Sequence, residues 1–219
     1  MSLLLRLAAR CVLAVALPLQ ARAPLPVHEF EDGHVQKFST RGHAKAQGLA
    51  LSLNYPKSWA AFESDRPDVV QKLVADGGNG SEQVLIMITP LTAGATATAE
   101  KVQATLSPEG MKQFLPKDAT FLRATNTTFA KQLAGVLEYF TPNEKSDTAL
   151  EAGKGNGKKQ GAGVKQLDTH TVSCMFVRGD RLVQVQFQII GTEYSSSESL
   201  TGIFRPLWNV MMFSIEFAE

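Results

Sequence analysis

Cysteine is nearly absent from this chain, and its placement removes internal disulfides from consideration. Only Cys11 and Cys174 occur in 219 residues, and Cys11 lies inside an N-terminal segment built like a leader. Without a crosslink, stability has to come from a hydrophobic core, which a chain of this length can bury as a single domain. Charge of one sign is lacking too. The formal net charge is +1, and loss of the leader with Arg6, Arg10 and Arg22 takes 22 basic residues to 19 against 21 acidic ones, a net charge of −2. That balance gives no general attraction to nucleic acid or to an anionic membrane surface. A long apolar run is also missing. A membrane-spanning helix takes about 20 apolar residues, whereas the run from Cys11 to Leu19 is preceded by Arg6 and Arg10 and stopped at Pro18.

The first 23 residues do hold a cationic start, a short apolar stretch and Ala21-Arg22-Ala23, the three parts of a cleavable export signal. Cutting after Ala23 places Pro24 at the new terminus, and cutting after Ala21 is the alternative. Arg10 ahead of Cys11 is not the small residue a lipid-modified cysteine needs. The sequence therefore predicts a periplasmic or secreted protein that keeps no transmembrane anchor.

Residues 24–45 are mixed and polar, and predict an extended arm with one strand near 35–38. From there, strict alternation in Leu49-Ala-Leu-Ser-Leu-Asn-Tyr55 marks a strand with one buried face, ended by Pro56. Apolar segments at 69–74 and 84–89 flank Asp76-Gly-Gly-Asn-Gly80 and predict a hairpin. Helix formers over 96–106 precede Ser107-Pro108-Glu109, a cap with a first-turn proline and acid, so two short helices follow. Strands are predicted over 120–128, 135–140 and 167–177. The last turns through Arg178-Gly179-Asp180-Arg181 into an alternating strand over 182–190. A late helix carries Leu200, Ile203, Phe204 and Leu207 on one face, with a kink or restart at Pro206, and a closing strand covers 213–217. The Gly- and Lys-rich stretch 143–165 lacks apolar area to offset its ordering entropy and predicts a mobile loop. The organisation is thus a signal over 1–23, an arm over 24–45 and one domain over 46–219.

Motifs of known chemistry fail on spacing. The glycine-lysine stretch has Ala152 where a phosphate-binding loop needs its first glycine, and Lys159 where it needs a hydroxyl. His28-Glu29-Phe30-Glu31-Asp32 has Asp32 in place of the second histidine of a zinc-protease helix, and the prolines before it predict a non-helical arm. His28, His34, His43 and Glu31 form at best a loose cluster, so no metal and no cofactor are predicted. His170 and Cys174 share a strand face but stand about 13 Å apart at ~3.3 Å per residue, too far for a nucleophile and its base. Arg178-Gly179-Asp180 is explained by its turn.

Leu51-Ser-Leu-Asn-Tyr55-Pro56-Lys57-Ser58-Trp59 resembles the opening of the PsbP-like proteins, which share a fold with the Ran-binding Mog family and bacterial DcrB-type periplasmic proteins. The resemblance runs over 46–217 in element order, including a late helix with Trp208 and a closing strand with Ser214-Ile215. Arg66-Pro67-Asp68-Val69-Val70-Gln71 is similar to a segment of uncharacterised exported bacterial proteins of this kind. The resemblance implies an α+β fold with a single antiparallel β-sheet packed between helices, used for binding and assembly rather than catalysis, and it carries over no active site. The candidate contact surface is where the turn after Tyr55-Pro56 meets the late helix, with Tyr55, Trp59, Arg66, Phe204 and Trp208 as its residues. The expected function is that of an exported accessory or binding protein acting on an envelope protein or a small ligand. Two other readings stand beside it. One is a hydrolase with a dispersed site, marked by a pocket gathering carboxylates, a histidine and a hydroxyl. The other is a toxin-neutralising immunity or chaperone-like protein.

Overall fold

The computed structural model describes residues 26–75, 82–91, 97–129, 131–142, 168–190 and 197–218, with only the backbone at 168 and 197–204. The predicted leader at 1–23, the hairpin turn at 76–80 and the segment 143–165 lie outside the described residues. The alternating stretches form two antiparallel sheets rather than the single one expected. Strands β1 (Val35–Ser39), β2 (Leu51–Pro56) and β10 (Glu216–Phe217) make a small sheet in the order β1-β2-β10. The larger sheet holds β3 (Trp59–Phe62), β4 (Val69–Ala75), β5 (Glu82–Pro90), β6 (Thr120–Phe129), β7 (Gln132–Pro142), β8 (Asp168–Arg178) and β9 (Arg181–Ile190). Its order is β3-β4-β5-β9-β8-β7-β6. The division has a simple cause. Both edges of β2 are taken, by β1 and by β10, so the chain turning at Lys57-Ser58 delivers β3 to the free edge of β4 instead.

Among the described residues four α-helices accompany the sheets: α1 (Pro26–Glu31), α2 (Ala99–Leu106), α3 (Pro108–Lys112) and α4 (Ser197–Phe213). Three of the sequence expectations need correction. The arm predicted to be extended starts with α1, because Glu29 is buried and its carboxylate accepts from the Ser58 backbone N–H at 2.9 Å and the Ser58 hydroxyl at 2.5 Å. That anchor ties the segment to the β2–β3 turn. Helix α4 runs on through Pro206, so the chain does not restart there. Loss of one backbone donor is tolerated where Leu207, Met211 and Met212 are fully packed in the core. Finally, Phe213 ends that helix instead of starting a strand, and the closing strand shrinks to two residues. Ser214 makes the exit: its Oγ donates to the Met211 carbonyl at 2.7 Å and accepts from Asn54 N–H at 2.8 Å.

Alternation gives the larger sheet two different faces. One carries Ile86 of β5, Val185 and Phe187 of β9, Cys174 and Phe176 of β8 and Val136 of β7, in one core with Leu51 and Leu53 of the small sheet and Leu207 and Met211 of α4. Full burial of each such aliphatic or aromatic side chain contributes about 1.5–3 kcal/mol. Leu137, Tyr139, Met175 and Leu182 on the other face cluster with Leu106 of α2 and Met111 of α3. Ser107 joins those two helices. Its Oγ donates to the Ala104 carbonyl at 2.7 Å and accepts from Gly110 N–H at 3.0 Å. At the β8–β9 hairpin, Gly179 takes φ 59°, the conformation for which glycine leads the turn.

Candidate functional site

Three polar side chains occupy core-facing positions on adjacent strands, and register alone brings them together. Arg123 of β6 stands directly opposite Glu138 of β7, after a bulge between Phe121 and Arg123. Glu138 pairs with Val172 of β8 while Phe140 pairs with His170, so His170 is the diagonal neighbour of Glu138 on the same face, within side-chain reach. The bonds follow. Arg123 Nη2 donates to Glu138 Oε2 at 2.6 Å, and His170 Nε2 lies 2.9 Å from Glu138 Oε1. Both inner groups are withdrawn from water, with Glu138 7% and His170 5% exposed, whereas the Arg123 side chain is 44% exposed. The His170 hydrogen bond, joined by the Arg123 charge, holds the Glu138 carboxyl below its ordinary range in spite of burial.

This row forms one wall of a cavity of about 350 Å³ between the edge half of the sheet and α4, at the low end of the roughly 300–1,000 Å³ typical of ligand pockets. The sheet side is completed by Phe129, Val136, Val172, Phe187 and Ile189 with the hydroxyls of Thr125 and Thr127. Helix α4 contributes Arg205, Trp208, Asn209 and Phe213, spaced i, i+3, i+4 and i+8 and therefore on one helix face. Phe129 sits edge-on to two of them, 5.6 Å from Trp208 and 5.1 Å from Phe213 between ring centroids. Phe213 is 70% exposed, an unusual state for a large apolar ring, and it lies at the cavity mouth. The site is therefore apolar and aromatic in its body and basic at its edge, where Arg205 is exposed and makes no ion pair among the described residues.

The cavity does gather a carboxylate, a histidine and hydroxyls, the mark set for a dispersed hydrolase. The geometry works against His170 as the base. The ring lines the cavity, but its Nε2 is engaged by Glu138 and its Nδ1 is buried with no hydrogen-bond partner among the described residues. A general base has to reach the proton it removes. Cys174 is fully buried, and burial pushes its thiol far up from the usual range, which leaves it a packed apolar residue and not a nucleophile. Among the described residues no three His, Cys, Asp or Glu side chains converge as metal ligands. His43 caps a short turn through Nδ1, which accepts from Lys45 N–H at 3.3 Å, and its Nε2 lies 3.9 Å from Glu63.

The five residues singled out from sequence are scattered. Trp208 lines the cavity. Tyr55 and Trp59 are core residues, 7% and 2% exposed, with Trp59 6.0 Å from the Phe187 ring, and the turn between them is bound by α1 through Glu29. Arg66 pairs with Asp68 at 2.8 Å and borders a separate hollow lined by Gln184, Gln186 and Gln188 on the other sheet face. The side chain of Phe204 lies outside the described residues. Arg123, Glu138, His170, Arg205 and Asn209 were not singled out as one site. A signal existed for two of them: Glu138 falls in phase with Val136 and Phe140, and His170 in phase with Val172 and Cys174, so each puts a polar group where alternation demands an apolar one.

No protein-family model matches the chain, and no curated protein matches it in sequence. Solved structures do. The chain is similar to cyanobacterial PsbP (CyanoP) of Synechocystis sp. PCC 6803 at 13% identity and TM-score 0.47, over 84% of this chain and 93% of that one. It is similar to LpqN of Mycobacterium tuberculosis, a protein involved in cell envelope biogenesis, at 12% identity and TM-score 0.48, over 90% and 100% of the two chains. It is also similar to the Saccharomyces cerevisiae Ran-binding protein Mog1p at 9% identity and TM-score 0.47, over 83% and 94%. PsbP and Mog1p, named by the resemblance of the Tyr-Pro-x-x-Trp segment, are thus among the matching structures; at these identities and TM-scores the likeness assigns neither family nor activity. Among the described residues no helix is long and apolar enough to cross a membrane.

Proposed function

We propose that this chain is an exported binding protein whose ligand site is the cavity between α4 and the β6–β9 half of the larger sheet. The observation that carries the reading is the cavity itself, a space of about 350 Å³ lined by seven apolar and seven polar or charged side chains, within the size range of small-molecule sites. Export is supported by the three-part leader in the first 23 residues. Binding rather than turnover is supported by the burial of His170 Nδ1 and Cys174, which withdraws the two side chains best suited to proton abstraction or nucleophilic attack.

The test combines location with occupancy. Cell fractionation and N-terminal sequencing are expected to find the protein outside the cytoplasm, beginning at residue 22 or 24. Native mass spectrometry of protein isolated from that compartment is expected to show a small-molecule adduct. In Thr127→Trp, which projects an indole into the cavity from an edge strand, the adduct disappears while the circular dichroism spectrum is kept. A protein retained in the cytosol with Met1 attached refutes export. An adduct that persists in Thr127→Trp refutes the cavity as its site.

A further inference from the structure

We infer that the ligand of this cavity is an organic acid, its apolar or aromatic body lying against Phe129, Trp208 and Ile189 and its carboxylate held at the basic edge by Arg205 and Arg123. The inference rests on the binding reading above and adds the chemical class of the ligand.

Donors and acceptors at the cavity edge are badly unbalanced. Among the described residues the one carboxylate in the wall is Glu138, and it already accepts from Arg123 on one oxygen and is bonded to His170 through the other. Against it stand two guanidinium groups. Arg123 uses only one terminal nitrogen on Glu138, leaving most of its five donors for another acceptor. Arg205 adds five more, one helical turn before Trp208 and Asn209. A fork of N–H donors matches a carboxylate, which accepts through two oxygens. A cation would meet the charge of Arg205, which makes no ion pair among the described residues, while Arg123 is already paired with Glu138, and a neutral molecule would leave the donors to water. Inside the edge, the contacts are aromatic and aliphatic, with Phe129 and Trp208 meeting edge to face. Such walls suit an apolar body that fills about 350 Å³. The exposed Phe213 ring, packed edge-on against Phe129, extends that surface toward solvent beside the mouth.

Three probes of one shape separate the class of ligand from the existence of the site: 2-naphthoate, 2-naphthylmethanol and 2-naphthylmethylammonium, each titrated calorimetrically into the purified full chain at low salt. The expected result is binding of the acid at least about tenfold tighter than the alcohol, with the amine weakest. Arg205→Gln is expected to weaken the acid far more than the alcohol and so erase most of the acid's advantage. Arg205→Lys keeps part of it, because the charge stays but the fork is lost. If the alcohol binds as tightly as the acid, the organic-acid assignment is overturned and the cavity remains a binding site. If Arg205→Gln weakens acid and alcohol alike, Arg205 is only shaping the cavity and the assignment fails as well. If none of the three binds, the cavity does not accept an apolar body and both readings fall.

Discussion

Replacing Glu138 by Gln keeps the shape of the side chain and removes its charge, which makes it the sharpest probe of the buried row on the cavity wall. The wild-type carboxylate is bonded to two partners, Arg123 at 2.6 Å and His170 at 2.9 Å. An amide has only one accepting end, so whichever way it turns, one of those partners meets its NH2 group. Hydrogen bonds to a charged group contribute about 1.5–3 kcal/mol each. The Arg123 bond belongs at or below the bottom of that range, because a guanidinium 44% exposed can turn to water and its ion pair is screened. The bond to His170 keeps its value, since His170 is buried and has no alternative partner on Nδ1. The expected loss is therefore about 2–3 kcal/mol at pH 7, read as a lower urea midpoint with an unchanged slope. The pH dependence fixes the sign. The folded-state pKa of Glu138 lies below its ordinary value of 4.5, so its contribution is complete above that value and is lost as pH falls through the folded pKa. The gap between wild type and Glu138→Gln should narrow on acidification below about pH 4.5. A loss under about 0.5 kcal/mol at pH 7, or a gap that stays constant with pH, would refute the claim that the carboxylate is held ionised by these two neighbours.

Two glycines give a contrast in how tight packing is relieved. A methyl at Gly110 would run into the backbone carbonyls of Ala104 and Thr105, whereas one at Gly135 would meet the thioether end of Met111. Gly110→Ala should cost about 3 kcal/mol or more and Gly135→Ala about 1–2 kcal/mol by thermal denaturation, because a methionine side chain can yield and a helix terminus cannot; equal costs would contradict this account. Glu29→Ala removes the two bonds to Ser58 and should release α1, seen as faster amide exchange over 26–34 with a stability loss of about 1.5–3 kcal/mol. Cys174 is 0% exposed with its thiol pKa pushed up, so a thiol reagent should label it only after unfolding, and rapid labelling of the native protein would show that β8 opens locally.

The strands were legible because their chemistry is local. Alternation over 49–55 and 182–190 and the glycine-led turn at Gly179 reflect forces acting within a few residues, and the structure follows them closely at β2, β8 and β9. What was not legible depends on partners far along the chain. Helix α1 exists where Glu29 meets Ser58, 29 residues away, and the split into two sheets follows from β10 reaching β2 across more than 150 residues. The site is of the same kind. Arg123, Glu138 and His170 come from three strands, and Arg205 from a helix further on, so no window of sequence contains the constellation. Both aromatics of the Tyr-Pro-x-x-Trp segment, Tyr55 and Trp59, are packed in the core, so the segment marks the fold and not the cavity.

The polar row itself is the strongest reason to treat the cavity as more than a packing defect. A buried charge pair is weak support for stability, since desolvation offsets much of its attraction and an apolar replacement of equal volume is often neutral or better. Here the surrounding positions are already apolar: Val136 and Phe140 flank Glu138 on its strand, and Val172 and Cys174 follow His170. Leucine or valine at both sites would extend that core with no donor or acceptor left to satisfy, so stability alone does not account for the network. Its two consequences are structural. It ties Arg123 beside the cavity through one nitrogen on Glu138, with the others unspent, and it engages both oxygens of Glu138, the one carboxylate of the wall among the described residues. Donors already tethered at one nitrogen cost less entropy on binding than wholly free arginines do. A carboxylate-bearing ligand would use both features at once.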